Sequence, residues 1–343
     1  MKKLMKGLAV GLFVITWLVY GIPANGAEQT YKIRLTLYWP PSHHLVKLSH
    51  FFSDRVKEHT QGKVIVEVYP SGQLYSQAES LKAVSMGSIE MSDEFMGKAE
   101  TIDPLWGVVQ TNMFVLTDYQ MLWKYFDHPK FREIIGGLYI NKMKVKPLFI
   151  VASGSYMMLT NSKNPIVKPA DLSNKLIRVP SKSIMEMINY WGGKGVIMGS
   201  GEQIMAMQVG TVDGSWTSLG DGVSRQIWDV QKYAMLFQSS ITHPFIINMR
   251  FFNSLPKDIQ KGIEKAAKEA EDHGRKELEK IEAEQIKILQ SKMTVHALTA
   301  KETEAWAQTI QPLIDKWVKT TGEKGKTLRD VMMQVRKDVL AGK

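Results

Sequence analysis

The chain has 343 residues, 44% of them hydrophobic and 23% charged, a formal net charge of +10 and no cysteine. The missing cysteines exclude a disulfide framework, thiol chemistry and a lipid anchor attached through sulfur. The length exceeds a typical single core and fits two lobes. The charge excess is spread through Lys-rich helices without clustered Arg/Lys and interleaved aromatics, so no nucleic-acid partner is expected; mild steering of anionic ligands or attraction to anionic lipid remain secondary options.

Residues 1–27 read as a secretory signal peptide. Lys2, Lys3 and Lys6 make a basic start, Leu8 to Ile22 an uncharged apolar stretch, and "PANGA" (23–27) the small residues before a cut. The alternative is a membrane anchor, but the apolar stretch falls short of the roughly 20 residues a span needs, and polar "EQTYK" follows. Cleavage after Ala27 leaves 41 basic against 34 acidic residues, a formal +7. No second such run follows, so the mature chain is expected in the periplasm.

In chain order, "YKIRLTLY" (31–38) alternates Ile33, Leu35 and Leu37 with polar residues, the period of a strand with one buried face. Leu45, Leu48, Phe52 and Val56 then recur at helical spacing until Gly62, and "KVIVEVY" (63–69) alternates again. Strand, helix, strand at this length predicts a right-handed crossover and a parallel sheet. "PSGQL" (70–74) is turn chemistry, Ser76 to Met86 a helix closed by Gly87, "IEM" (89–91) a short strand, "DYQMLWKYF" (118–126) an amphipathic helix and "KVKPLFIVAS" (144–153) a strong strand. The first lobe is expected to end near residue 155.

A second α/β stretch follows: strands at "YMMLTN" (156–161), "KLIRV" (175–179) and "GVIM" (195–198), helices from Ser183 to Trp191 and from Gly201 to Val209, and a short strand ending "GTVDGSWTS" (210–218). From Pro256 to about Met293 one long charged helix carries a narrow stripe of Ile259, Ile263, Ala266 and Ala267, with Gly274 as a weak point or bend. The stripe suits packing on two lobes.

Catalytic patterns are absent. There is no G-x-S-x-G elbow, no GxxxxGK and no GxGxxG. His43, His44 and His50 have poor convergence for a metal; a capping turn and a helix surface account for them better. Arg178 is the sharper lead. It interrupts a run of β-formers at the C-terminal end of a strand, beside the crevice that open α/β sheets use for ligands. Its planar fork suits a carboxylate, and the alternatives are a solvent-facing or internally salt-bridged Arg.

The residues "YPSGQL" with Glu79, "MGSIEMS" (86–92), "LTNSKNPIVKPADLSNKLIRVPS" (159–181), "AMQVGTVDG" (206–214) and "FFNSLPKDIQ" (251–260) resemble the solute-binding proteins of TRAP transporters, the DctP-like family. The resemblance covers nearly the whole mature chain. It implies an α/β, two-lobed periplasmic-binding-protein-like fold with a hinge and a long lobe-spanning helix. Lobe I would comprise 28–155 plus about 243–283, lobe II 156–242 plus about 284–343, with the helix at about 256–293 spanning both. It also implies that Arg178 makes a two-pronged salt bridge with a ligand carboxylate. The loop from Trp39 to His43, Phe95, Ser181, and Trp216, Thr217 and Ser218 would face the cleft, each with a packing role as its plainer alternative.

Departures from the family pattern shape the expected ligand. Many members carry a second arginine where Met157 or a neighbour stands, an asparagine where this chain has Thr217, and prolines where it has Met113 and Gly199. Charge is lost while Trp39, Phe95, Trp216 and Met157 offer apolar surface. The expected ligand is a small organic carboxylate, a monocarboxylate with an apolar or aromatic body. Implied partners are the integral membrane subunits of a TRAP transporter, with no cofactor, and a monomer is expected. A ligand-sensing protein acting with a sensor kinase and a secreted enzyme with an unrecognised site are the rival readings.

Overall fold

The computed structural model describes residues 30–342, so the signal-peptide reading lies outside the described residues. The first segment runs β1 (Tyr31–Thr36), α1 (His44–His59), β2 (Val64–Tyr69), α2 (Ser80–Met86), β3 (Met91–Asp93), α3 (Val108–Thr111), α4 (Tyr119–Asp127), α5 (Pro129–Met143) and β4 (Val145–Ala152). The chain then enters β5 (Tyr156–Asn161), β6 (Leu176–Val179), α6 (Lys182–Tyr190), β7 (Lys194–Ile197), α7 (Gln203–Gln208), β8 (Gly214–Ser218), α8 (Leu219–Ser224) and β9 (Tyr233–Gln238). It returns through β10 (Thr242–Asn248) and α9 (Met249–Ser254), and ends with α10 (Lys257–Lys292), β11 (Thr294–Ala297), α11 (Ala300–Thr309) and α12 (Gln311–Leu340).

Two sheets result, ordered β2-β1-β3-β10-β4 and β11-β9-β5-β8-β6-β7. The expected crossover is present, with β1 parallel to β2 in register from Tyr31 opposite Val64 to Thr36 opposite Tyr69. Helix α1 buries the predicted stripe of Leu45, Leu48, Phe52 and Val56. Each sheet contains one strand that opposes its neighbours: β10 is antiparallel to β3 and β4, and β5 is antiparallel to β8 and β9. These are the strands that arrive from the other lobe, which is why both connections cross at one place.

The crossing is held by its own backbone. Ser153 N donates to Ile241 O at 3.0 Å and Ser239 N to Ser155 O at 2.9 Å. Helix α10 adds a clamp, because the fully buried Glu282 carboxylate accepts from Ser155 N at 2.9 Å, Ser155 Oγ at 2.6 Å, Tyr156 N at 3.0 Å and the Tyr119 hydroxyl at 2.8 Å.

Helix α10 runs on through Gly274 from Lys257 to Lys292; a Cβ there would lie 2.8 Å from Leu48 Cδ2, so the glycine lets α10 lie close on α1. Helix α12 starts against the second lobe through Ile314, kinks at Gly322, and packs Trp317, Leu328, Met332 and Val335 with the first-lobe core.

Substituting Glu282→Ala leaves two amides and two hydroxyls without this acceptor, each group that stays buried and unpaired costing about 1–3 kcal/mol. Thermal unfolding is expected to show a melting point several degrees lower, on the order of 5 °C or more. An unchanged melting point would show that the clamp is not holding the hinge.

Candidate functional site

Strand β6 sets the geometry of the site. Ile177 and Val179 turn into the second-lobe core with Met157, Leu159 and Trp216, so Arg178 projects from the opposite face, where the parallel register pairs it with Ser215. The guanidinium is buried, at 1% exposure, and burial pulls its pKa down to about 10. It is aimed by carbonyls on either side. Nε and Nη2 both reach Met198 O, at 3.0 and 2.8 Å, and Nη1 donates to Trp216 O at 3.1 Å. Nη2 also makes a long bond of 3.3 Å to Ser200 Oγ. All four bonds end on uncharged oxygens, and a guanidinium has five N–H groups.

Asp221 is the nearest carboxylate to bear on Arg178, but its oxygens are engaged elsewhere. Oδ1 takes Arg225 Nε at 2.6 Å, and Oδ2 takes Gln203 Nε2 at 2.6 Å and Thr217 Oγ1 at 2.9 Å. Gln203 is itself fixed by Ser215 Oγ at 2.8 Å, and Ser218 Oγ caps α8 by accepting from Asp221 N at 3.2 Å.

The first lobe supplies an aromatic wall. Trp39 donates its indole N–H to Asp93 Oδ2 at 2.6 Å and stacks on His43, with centroids 4.0 Å apart and planes within 9°. His43 caps α1 as expected, accepting from Leu45 N through Nδ1, yet it is buried rather than on the surface. Burial, with His44 and His243 close by, holds its pKa well below the usual range. Among the described residues no group of three or more His, Cys, Asp or Glu could hold a metal ion.

Between these walls lies a cavity of about 10 Å³, bounded by Arg178, Pro180, Ser200, Thr217, Ser218 and Asp221 of the second lobe, Tyr38, Trp39, Gln77 and Phe95 of the first, and Ile241 of the crossing strands. Larger hollows of about 150 to 200 Å³ open elsewhere; one of them is lined by Arg336, which also bonds neutral oxygens but is only half-buried, unlike Arg178. The lobes meet around the small cavity: Ser200 N donates to Gln77 Oε1 at 3.0 Å, Arg225 Nη2 to Tyr38 O at 3.1 Å and Ser42 Oγ to Ser224 O at 3.4 Å.

Five of the residues singled out in the sequence line this cavity: Arg178, Thr217, Ser218, Trp39 and Phe95. Three do not reach it with their side chains. The Trp216 ring packs on Trp191 and Phe237 in the core, and only its main-chain carbonyl meets Arg178. Met157 is a core residue beside it. Ser181 turns toward Ser183, whose amide donates to the buried Glu100 at 2.7 Å. The sequence reading missed Tyr38, Gln77, Pro180, Ser200, Asp221 and Ile241. Tyr38 and Pro180 stand close to the singled-out Trp39 and Arg178; the others come from separate parts of the chain and carry no motif.

Hinged α/β lobes that meet around a buried cation make this a two-lobed solute-binding protein. The chain belongs to the DctP family, the bacterial extracellular solute-binding proteins of family 7, whose model matches residues 36–321. It is similar to the C4-dicarboxylate-binding periplasmic protein DctP of Rhodobacter capsulatus, 27% identical over 282 residues, which are 79% of this chain and 81% of that one. Two solved structures share the fold. A pyroglutamate-specific TRAP solute-binding protein from a marine metagenome has a TM-score of 0.81 and 18% identity, covering 90% of this chain and 99% of that one. The sugar-acid-binding protein DctPAm of Advenella mimigardefordensis, in complex with galactonate, has a TM-score of 0.83 and 20% identity over the same shares. The family is one of binding proteins, not enzymes. No helix among the described residues is long and apolar enough to cross a membrane.

Beside the aromatic wall, burial pushes the Glu94 carboxyl up to about 7, with Lys98 opposing the shift. A folded pKa above the ordinary 4.5 contributes stability below pH 4.5 that is lost as pH rises through 7. Glu94→Gln lacks this dependence. Its stability relative to the parent protein is expected to climb by on the order of 3 kcal/mol between pH 4.5 and 8, read by denaturant unfolding. A pH-independent difference would refute the buried assignment.

Proposed function

We propose that the protein captures a small organic carboxylate between its lobes in the periplasm and delivers it, as a monomer, to the integral membrane subunits of a TRAP-type transporter. The observation that supports this most is the buried Arg178 guanidinium, which lines the cavity and meets no carboxylate of its own. Met198 O occupies the Nε–Nη2 edge; of the remaining N–H groups one on Nη1 has no partner and one on Nη2 makes only the long bond to Ser200, which leaves donors for a ligand. A carboxylate suits these donors.

The ligand is a monocarboxylate with a flat apolar or aromatic body. Trp39, Phe95, Pro180 and Ile241 offer apolar surface, and Tyr38 and Gln77 add polar groups to the same lining. The cavity is about the size of one water, so entry requires the lobes to part. Closure then removes water from the Arg178–carboxylate pair and strengthens it, and the cross-lobe hydrogen bonds, that from Ser183 N to Glu100 among them, lock the surface that a membrane partner recognises. Proteins named for C4-dicarboxylates, pyroglutamate and galactonate share the carboxylate and differ in the rest, which supports a selectivity that resides outside Arg178.

Calorimetry with small monocarboxylates tests the reading. Arg178→Ala is expected to lose on the order of 2–5 kcal/mol of binding free energy, and Arg178→Lys to regain little because an ammonium cannot present the fork. Parental affinity in both variants would reject the site.

A further inference from the structure

We propose that Asp221 is a specificity-determining residue that turns the cleft against dicarboxylates, an inference that rests on Arg178 as the carboxylate anchor. Asp221 lines the same cavity as Arg178 and is 1% exposed. All three side-chain partners of its oxygens are donors, and one of them is the guanidinium of Arg225. That engagement uses up the second arginine near the site, because Arg225 spends Nε on Asp221 and Nη2 on Tyr38 O. Among the residues that line the cavity, Arg178 is the one cation.

The surrounding charges add to the effect. Glu202, at the start of α7, and Asp221 both act on Arg178, while Asp93 and Asp221 both act on Tyr38 across the cavity. One carboxylate on Arg178 is therefore matched. A second carboxylate on the same small molecule has to settle near Asp221, the one carboxylate that lines the cavity, at low dielectric, where like charges repel strongly. Thr217 reinforces the arrangement, since its hydroxyl donates to Asp221 and is not turned to a second ligand oxygen.

The test is a ratio of affinities, which a general loss of packing or closure leaves unchanged. Full-length mature protein is titrated calorimetrically with acids matched in body, butyrate with succinate and benzoate with terephthalate. The parent protein is expected to prefer each monoacid by about tenfold or more, and Asp221→Asn to narrow that ratio by about tenfold. Arg225→Gln, which leaves Asp221 without its cation, is expected to move the ratio the opposite way. A parent that prefers the diacids, an Asp221→Asn protein that keeps the parental ratio, or two variants shifting in the same direction would each overturn the proposal. Failure of the underlying reading looks different: no acid of either kind would bind the parent, or Arg178→Ala would bind them undiminished.

Discussion

A guanidinium buried among neutral oxygens is the constraint on which the rest of this structure depends. Desolvating a charge is costly unless a partner of opposite sign meets it. Here the fold orients the charge without neutralising it. Strand β6 lies between β8 and β7, and each neighbour contributes one carbonyl, Trp216 O on one side and Met198 O just past the end of the other. The strand order therefore fixes the direction of the fork, and hydrogen bonds to dipoles compensate only part of its burial.

Holding such a group ready requires that water reach it in one arrangement of the lobes and leave it in another. The hinge supplies a narrow axis for that change. Its two strands are joined by reciprocal backbone bonds between Ser153, Ser155, Ser239 and Ile241, and Glu282 of the longest helix grips the same turn. The contacts on the far side of the cavity are of another kind. Single bonds such as those donated by Ser200 N to Gln77 and by Arg225 to Tyr38 O are individually worth about 0.5–3 kcal/mol, so they can open while the hinge persists.

How much of this was legible in the sequence varies with how local the signal is. The β1–α1–β2 unit was readable because each element has one buried face, and so was the position of Arg178 at a strand end. Strands β9 and β10 went unread because they are buried on both sides; every residue from Thr242 to Asn248 is inaccessible, so no alternation marks them. The faces of β8 depend on its register with β6, which a single strand does not reveal; hence Trp216 was placed in the cleft while its ring belongs to the core. Asp221 sits in "SLGDG", a stretch without chemistry until the fold brings Arg225 and Gln203 to it.

The two walls of the cavity constrain a ligand in different ways. On the first lobe Trp39 cannot turn freely: Asp93 holds its N–H, His43 covers one face, and His43 is fixed in turn by capping α1. With Nδ1 accepting from Leu45 N, the neutral His43 carries its proton on Nε2, so the stack keeps one tautomer and no net charge. That wall is held rigid and presents aromatic rings to the cavity, so it judges shape. On the second lobe Arg178, Asp221 and Arg225 form a chain of alternating charge whose balance one added anion changes. Shape is therefore read by elements of the first sheet and charge by elements of the second, and both readings become simultaneous only when the lobes close.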